Sequence, residues 1–389
     1  MAVRIGIIGV GAMGSQHAQQ LAAGKHPRLQ LTALCDPVPQ RLAGFPDIPH
    51  FHDSAALIRS GLVDAVLVAT PHYLHTTIGI DALEQGLHLL VEKPISVHVE
   101  DCQRLIAAYA ARPKPSQVFA AMFNERTIGR NQKIRELIHS GELGRINRVA
   151  WITTDWFRSE TYYRSGGWRA TWGGEGGGVL TNQCPHRLDL LQWWFGRPEK
   201  IHAFAGFGRH HDIEVEDDVT AHLSWANGTT GVFITTTGEC PGVNRLEIAA
   251  ERGLVVVEGE SIRFQRNAVE TTAWSRTTTS RMQGPEVWDI AIPIPKVPAG
   301  HGVIIDNFAA AILDGTPLIA PAGEGIAAVE IANAIILSAK AGKTVSLPLD
   351  VHEYSRLHAD LVANSRYRPE VQDVVSITSA AEMAASFGR

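Results

Sequence analysis

A short apolar strand, Val3-Arg4-Ile5-Gly6-Ile7-Ile8, runs directly into Gly9-Val10-Gly11-Ala12-Met13-Gly14, and a helical stretch over residues 15–23 follows. No other feature constrains the fold of this chain so tightly. Gly9 permits a tight turn, Gly11 lets the backbone approach a pyrophosphate, and Gly14 lets helix and strand pack closely. A second strand over residues 29–35 ends at Asp36. That is the spacing, about 20 residues on, expected of a carboxylate that binds a ribose. The helix N-terminus offers unpaired N–H groups and partial positive charge to phosphates. Strand, turn, helix, strand and acid together predict a dinucleotide site. Asp36 also selects the dinucleotide, because a carboxylate accepts hydrogen bonds from a 2′-hydroxyl and repels a 2′-phosphate. Pro37, Val38 and Pro39 follow, with no cation until Arg41, whose guanidinium is near enough in sequence to fold back. NAD is the expected cofactor.

Glu92-Lys93-Pro94 is the next informative stretch, where the buried apolar strand 88–91 runs out. Ligands of open parallel sheets bind beyond the carboxyl ends of the strands, so Lys93 should face the cofactor cleft. An ammonium there is costly to desolvate unless it has a polar task.

Strand and helix signals alternate as far as residue 122: strand 65–69, helix 76–86, strand 88–91, helix 98–112, strand 117–122. Such alternation implies parallel βαβ units. A linking helix is expected over 124–140. After Gly144 the pattern becomes strands at 146–155, 201–208, 219–225 and 230–236, with Asn227-Gly228 a type I′ hairpin signal. One helix (185–195) precedes that run of strands and two follow it (303–313 and 325–341). The fold class is therefore α/β: an N-terminal Rossmann dinucleotide-binding domain (1–123), then an α+β domain with a large, open, mostly antiparallel sheet (124–350). A C-terminal extension (351–389) remains, whose polar tail beyond Arg368 is expected to be mobile or used in assembly. Two domains also suit 389 residues, since single cores rarely exceed about 250–300.

A formal net charge of -5 gives no reason to expect nucleic acid or an anionic membrane as partner. No apolar run is read as approaching the roughly 20 residues that a membrane helix needs, and a strand that begins by residue 3 leaves no room for a leader. Cys35, Cys102, Cys184 and Cys240 lack paired or metal-ligand spacing and read as reduced thiols of a cytoplasmic protein. Among 17 histidines the close pairs are His50/His52 and His210/His211, neither in a zinc pattern. No metal is expected.

Gly176-Gly177-Gly178-Val179-Leu180-Thr181-Asn182-Gln183-Cys184-Pro185-His186-Arg187-Leu188-Asp189 is the second chemical centre. If the helix starts at Pro185, His186 and Asp189 share a face. A carboxylate beside an imidazole fixes its tautomer and raises its basicity, which predicts a general base with a pH limb near neutrality. Tyr162, Tyr163, Trp168, Arg169 and Trp172 lie within eleven residues of each other. Rings that stack on sugar faces and cations that bind hydroxyl rims suit a carbohydrate, although the same run also fits a loop packed by aromatics at an interface.

Taken together, the glycine turn, Ala69-Thr70-Pro71, Glu92-Lys93-Pro94, the 176–189 segment and the late helix pair resemble the Gfo/Idh/MocA oxidoreductases, the family of glucose–fructose oxidoreductase and inositol dehydrogenase. The resemblance covers about residues 3–350. It implies a cofactor side made of Gly9, Gly11, Ala12, Met13, Gly14, Asp36, Thr70, Pro71, His75, Glu92 and Lys93. It implies a substrate side of Asn124, Arg126, Tyr162, Tyr163, Arg164, Trp168, Arg169 and Asp189, with Lys93, Asn182 and His186 at the reaction centre. It further implies that the outer face of the large sheet makes a homo-oligomer: dimer, tetramer or hexamer. Many members carry aspartate where this chain has Asn182, which leaves proton transfer to His186 and makes Asn182 a substrate-orienting group. The 162–172 run is similar to that of bacterial glycoside 3-oxidases, which oxidise the C3 hydroxyl of a glucosyl group. The expected activity is NAD-dependent oxidation of a secondary hydroxyl of a sugar or glycoside. Open alternatives are an inositol or polyol dehydrogenase and a redox-neutral glycosidase with a 3-keto intermediate. A nucleotide sensor without catalysis has little need of both Lys93 and His186.

Overall fold

The computed structural model describes residues 2–367. Its first part alternates strictly: β1 (Val3–Ile8), α1 (Ala12–Ala22), β2 (Leu29–Cys35), α2 (Pro39–Leu42), β3 (His50–Phe51), α3 (Ser54–Ile58), β4 (Ala65–Val68), α4 (His72–Glu84), β5 (His88–Val91), α5 (Val99–Ala110) and β6 (Phe119–Ala121). The strands pair in parallel in the order β3-β2-β1-β4-β5-β6. Strand order reverses between β1 and β4, the switch point at which α/β sheets hold ligands. Helix α1 begins three residues earlier than the sequence suggests, because Gly11 is itself the N-cap. Helix α4 likewise starts directly after Pro71, a residue that presets helical φ at an N-terminus.

The expected linking helix over 124–140 is broken. A 3₁₀ turn (Asn124–Thr127) is separated by the extended Ile128 from α6 (Gly129–His139). Then come β7 (Ile146–Thr153), α7 (Glu160–Arg164), α8 (Pro185–Phe195), β8 (Lys200–Phe207), β9 (Glu216–Ser224), β10 (Thr230–Thr236), β11 (Asn244–Ala250), β12 (Gly253–Glu258), β13 (Ser261–Asn267), α9 (Thr271–Thr277), β14 (Val287–Ile292), α10 (His301–Asp314), α11 (Ile326–Ala341), β15 (Val345–Ser346) and α12 (Val351–Ala363). These strands form one open sheet, β14-β13-β12-β11-β7-β10-β9-β8-β15. It is antiparallel throughout except where β10 meets β7. Strands β11, β13 and β14 escape a hydrophobicity reading because Arg245, Glu247, Arg263 and Asp289 occupy outward positions; β12, with the apolar run Leu254 to Val257, is legible but absent from the sequence reading.

The β9–β10 hairpin differs from the type I′ expectation. Trp225 N donates to Thr229 O at 2.9 Å and Gly228 N to Trp225 O at 3.0 Å. Gly228 has φ of +87°, whereas Asn227 does not have positive φ. A three-residue loop of type I followed by a left-handed glycine results.

Two hydrophobic clusters organise the molecule. The first lies about the parallel sheet and takes in Ile304, Ile305 and Phe308 of α10. The second lies between the inner face of the large sheet and helices α8 and α11. The segment 322–341 is, contrary to the sequence reading, long and apolar enough to cross a membrane. Here most of it is buried in the protein: Val329 packs on the first cluster, and Ala328, Ile331 and Ile335 on the second. Helix α12 also belongs to the packed body, with Tyr354 and His358 buried. The polar tail beyond 368, expected to be mobile or used in assembly, lies outside the described residues.

Candidate active site

At the switch point, Gly9 adopts φ of +91°, and a Cβ on Gly14 would fall 1.8 Å from Gly9 O. The turn is thus closed to side chains from within. On its outer side a Cβ at Gly11 would meet nothing within 4 Å, and α1 has no side-chain cap. Open space in front of free helix N–H groups suits a pyrophosphate. Ala12 and Met13 supply the first helical N–H groups. Asp36 is buried, its carboxylate held by Val10 N–H at 2.8 Å and Val38 N–H at 2.9 Å. Arg41 does fold back, to 3.4 Å from Asp36. Thr70 Oγ1 is buried with no protein partner, beside Pro71 at the end of β4. The residues present therefore fit a dinucleotide. His75, expected on the cofactor side, instead faces Pro94 O at 2.8 Å and Thr70 O at 2.9 Å with its two ring nitrogens. It braces two turns and presents no ring nitrogen to a ligand.

Glu92 is buried, with Oε1 2.8 Å from His17 Nε2 and Oε2 accepting Lys93 N–H at 3.2 Å. Burial, the largest single influence, would raise its pKa, but the hydrogen bond and charge of His17 together with His301 and Lys93 outweigh it and bring it to about 2. Lys93 reaches across to the second unit, where Nζ donates to Asn182 O at 2.9 Å. Burial pulls the lysine below its ordinary value, Glu92 and Glu175 oppose that pull, and Arg169 and Arg158 add to it.

The glycine run makes the approach possible. A Cβ on Gly176 would lie 2.2 Å from Val97 Cγ1, and one on Gly178 would lie 2.0 Å from Glu216 O. Backbone of the second unit is thereby brought against the segment that follows Lys93. Glu216 accepts from Gly178 N–H at 2.8 Å and Leu180 N–H at 3.1 Å, and burial lifts it to about 7. Asn182 Nδ2 donates to Glu175 Oε1. Helix α8 then begins at Pro185 and carries His186, one turn beyond Asn182.

His186 is 6% exposed, and neither ring nitrogen has a protein partner. Burial, and after it Lys93 and His301, hold its pKa well below 6.5. The imidazole is therefore uncharged at neutral pH, and its shift runs away from the near-neutral titration that the sequence suggested.

Several expectations are corrected here. Asp189 does not orient His186: it takes a two-pronged contact from Arg126, Nε at 2.7 Å and Nη2 at 2.6 Å, and a third from Gln192 at 3.1 Å. Arg126, 1% exposed, also contacts Glu324 and Ile319 O, so both residues are buried braces whose polar atoms are engaged within the protein. Tyr163 is buried in the second core with its hydroxyl 2.8 Å from Thr237 Oγ1. Arg164 points to solvent, 3.6 Å from Glu160. Asn124 is buried near the site with Oδ1 unpartnered.

A rim does form from Tyr162, Trp168 and Arg169. Arg169 Nη1 donates to Tyr162 Oη at 3.0 Å, and its guanidinium lies 4.8 Å from the Tyr162 ring and 4.9 Å from the Trp168 ring. Trp168 meets His72 edge-on at 5.9 Å. Trp172, in contrast, is buried, with its indole N–H on Glu214 O at 3.0 Å. Sequence reasoning missed His17, His72, Glu175 and Glu216. Only Glu175 carried a signal: it is a lone charge inside Gly173-Gly174-Glu175-Gly176-Gly177-Gly178.

A parallel 3-2-1-4-5-6 sheet with an open glycine turn is joined, through Lys93 on the carbonyl of Asn182, to a mixed-sheet unit that carries His186, the arrangement of a two-part dinucleotide-binding protein. Comparison with known proteins agrees. Residues 3–120 match the family model for an oxidoreductase family with NAD-binding Rossmann fold, and residues 131–256 match the GFO/IDH/MocA C-terminal domain. The chain belongs to the Gfo/Idh/MocA family, and its first unit is an NAD-binding domain. Similar proteins include inositol 2-dehydrogenase of Corynebacterium glutamicum, 27% identical over 50% of this chain and 54% of that protein. The chain thus spans about half the length of the first curated relatives that it matches. Levoglucosan dehydrogenase of Pseudarthrobacter phenanthrenivorans is 25% identical over 89% of this chain and 98% of that protein. Among solved structures, the WlbA dehydrogenase from Bordetella pertussis in complex with NADH and UDP-GlcNAcA aligns with a TM-score of 0.75. It is 27% identical, covering 90% of this chain and 100% of that one.

Proposed function

We propose that this protein is an NAD-dependent dehydrogenase acting on a secondary hydroxyl of a sugar, glycoside or cyclic polyol. The observation that carries the reading is Lys93, docked at 2.9 Å on the carbonyl of Asn182, with the neutral His186 one helical turn away. Residues Gly9 to Gly14 and Asp36 would hold NAD, which when bound supplies the hydride acceptor. The buried imidazole of His186, with both nitrogens uncommitted, takes the hydroxyl proton as the C–H bond breaks. Lys93 donates a hydrogen bond to the same oxygen and stabilises its growing negative charge, an effect of the kind worth several kcal/mol. Because burial already weakens its hold on the proton, the lysine is suited to share it with the substrate oxygen. Tyr162, Trp168 and Arg169 form an aromatic and cationic rim suited to a pyranose, and oxidation at a glucosyl C3 is the finer form of this reading. The long alignment with a levoglucosan dehydrogenase supports a carbohydrate.

The outer face of the large sheet supports a homo-oligomer. Phe204 is 64% exposed, in a cross-strand row with Thr220, Ile234 and Ile152.

A panel of sugars, glycosides and polyols incubated with NAD, read as NADH absorbance and product mass, tests the function. Net NADH with a product two mass units lighter is expected. Aglycone release without NADH would convert the reading to a redox-neutral glycosidase, and no turnover on any carbohydrate would overturn it.

A further inference from the structure

Glu175 joins groups that the proposed mechanism treats separately. It is 2% exposed. Its Oε2 accepts Ala170 N–H at 2.6 Å, at a residue whose φ of +51° a non-glycine side chain adopts only when its surroundings hold it there. Its Oε1 accepts Asn182 Nδ2, and its main-chain carbonyl faces His72 Nδ1 at 3.2 Å. Asn182, so held, offers its own carbonyl to Lys93 Nζ. One buried residue therefore connects the 168–172 turn and the lysine through its carboxylate, and the histidine under Trp168 through its main-chain carbonyl. The neighbouring Glu92 already has His17 at 2.8 Å.

We propose that Glu175 is the positioning residue of this site: it orients Asn182, seats the aromatic rim over the cleft, and supplies the buried negative charge that keeps Lys93 an ammonium. The inference rests on the reading of Lys93 as the group that meets the reacting oxygen. Charged and titratable groups sharing this environment are Glu92, Arg158, Arg169, His72, His75 and His186 around Lys93, and Tyr163 and Glu216 around Glu175. Glu92 and Glu175 favour the ammonium, and Arg158 and Arg169 oppose it; burial raises Glu175 in turn, while Arg169, the Ala170 N–H, Asn182 and Lys93 favour its carboxylate form.

Because Asn182 and Glu175 touch, acid and amide can be exchanged across one hydrogen bond. The test compares the full-length wild type with Glu175→Gln, Asn182→Asp and the double variant. The first readout needs neither substrate nor cofactor: the pH midpoint of Lys93 acetylation by acetic anhydride, followed by peptide mass. The second is kcat and KM across pH. Glu175→Gln should lower the Lys93 midpoint by about one unit, as loss of a nearby anion does. Asn182→Asp should raise it, and the double variant should return it close to wild type. Turnover in Glu175→Gln should fall by about 10- to 100-fold, the scale of a misplaced reacting group, with recovery in the double variant and NADH affinity unchanged. An unshifted midpoint in Glu175→Gln, or in Asn182→Asp should the first variant not fold, overturns the proposal. So does a double variant no better than Glu175→Gln. If the wild type oxidises no carbohydrate the functional reading fails, while the acetylation midpoints still decide the role of Glu175.

Discussion

His186 places an imidazole where neither nitrogen meets a protein partner, an arrangement with an energetic penalty unless a ligand completes it. A substrate hydroxyl is the natural completion. His186→Ala should therefore lower turnover by about 10² to 10⁴, the range of one acid–base group, and leave NADH binding by fluorescence unchanged. With its pKa held well below 6.5 by burial, the acid limb of kcat/KM should lie below neutrality and vanish in that variant. An intact limb would identify another base. Asp36 has a comparable logic. Arg41 stands 3.4 Å from it, so Asp36→Ala should both remove the repulsion of a 2′-phosphate and release a cation toward it. The expected outcome is a narrowed or inverted preference for NAD over NADP in paired titrations.

Between elements, the contact of Arg126 with Asp189, each side chain 1% exposed, ties the 3₁₀ turn to α8. Removing one member of such a pair leaves a buried charge and typically costs about 3–5 kcal/mol. Arg126→Ala should lose about that much in urea unfolding. A pure rise in KM with full stability would restore the substrate-binding role that the sequence suggested. Glu216 joins β9 to the glycine run and is lifted from 4.5 to about 7 by burial. The folded state then holds a proton that the unfolded chain releases between those values, so this group makes stability fall as pH rises from 4.5 to 7 and stay level above. The slope cannot exceed about 1.4 kcal/mol per pH unit. In Glu216→Gln that fall should disappear from melts taken across the window. An unaltered pH dependence would show that Glu216 does not titrate there.

At the scale of the whole molecule, the alternation in the large sheet sends Ala203, Ala221 and Phe233 inward, and Phe204 and Ile234 outward. Exposed apolar rows on a sheet face mark contact surfaces, which symmetric assembly covers. Phe204→Glu should shift the particle to monomer in light scattering, with the fold by circular dichroism retained. A wild type that is itself monomeric at micromolar concentration would remove this surface from consideration.

The alternation of the parallel unit was legible in the sequence, because its determinants are local, although the sequence reading omits the short α2, β3 and α3, and α1 and α4 start earlier than expected. Strands β2 and β5 and helix α8 begin and end where their apolar runs do, and the turn at Gly9 follows from backbone sterics alone. Lys93 and His186 were legible as types in place, since each adjoins a proline that marks a strand end or helix start, and Asn182 because it lies between the glycine run and Pro185. What stayed hidden were pairings between side chains far apart in the chain. The sequence spacing put Asp189 beside His186, but packing gave it to Arg126, 63 residues away, since a buried guanidinium needs a carboxylate more than a neutral imidazole does. Tyr163 and Trp172 read as rim and fold as core, because aromatic composition is the same for both and only burial separates them. Local backbone preference thus wrote the first sheet and the ends of the elements. Which charge meets which, and which ring is wet, was decided by tertiary packing, where desolvation penalises every polar group that fails to find a partner.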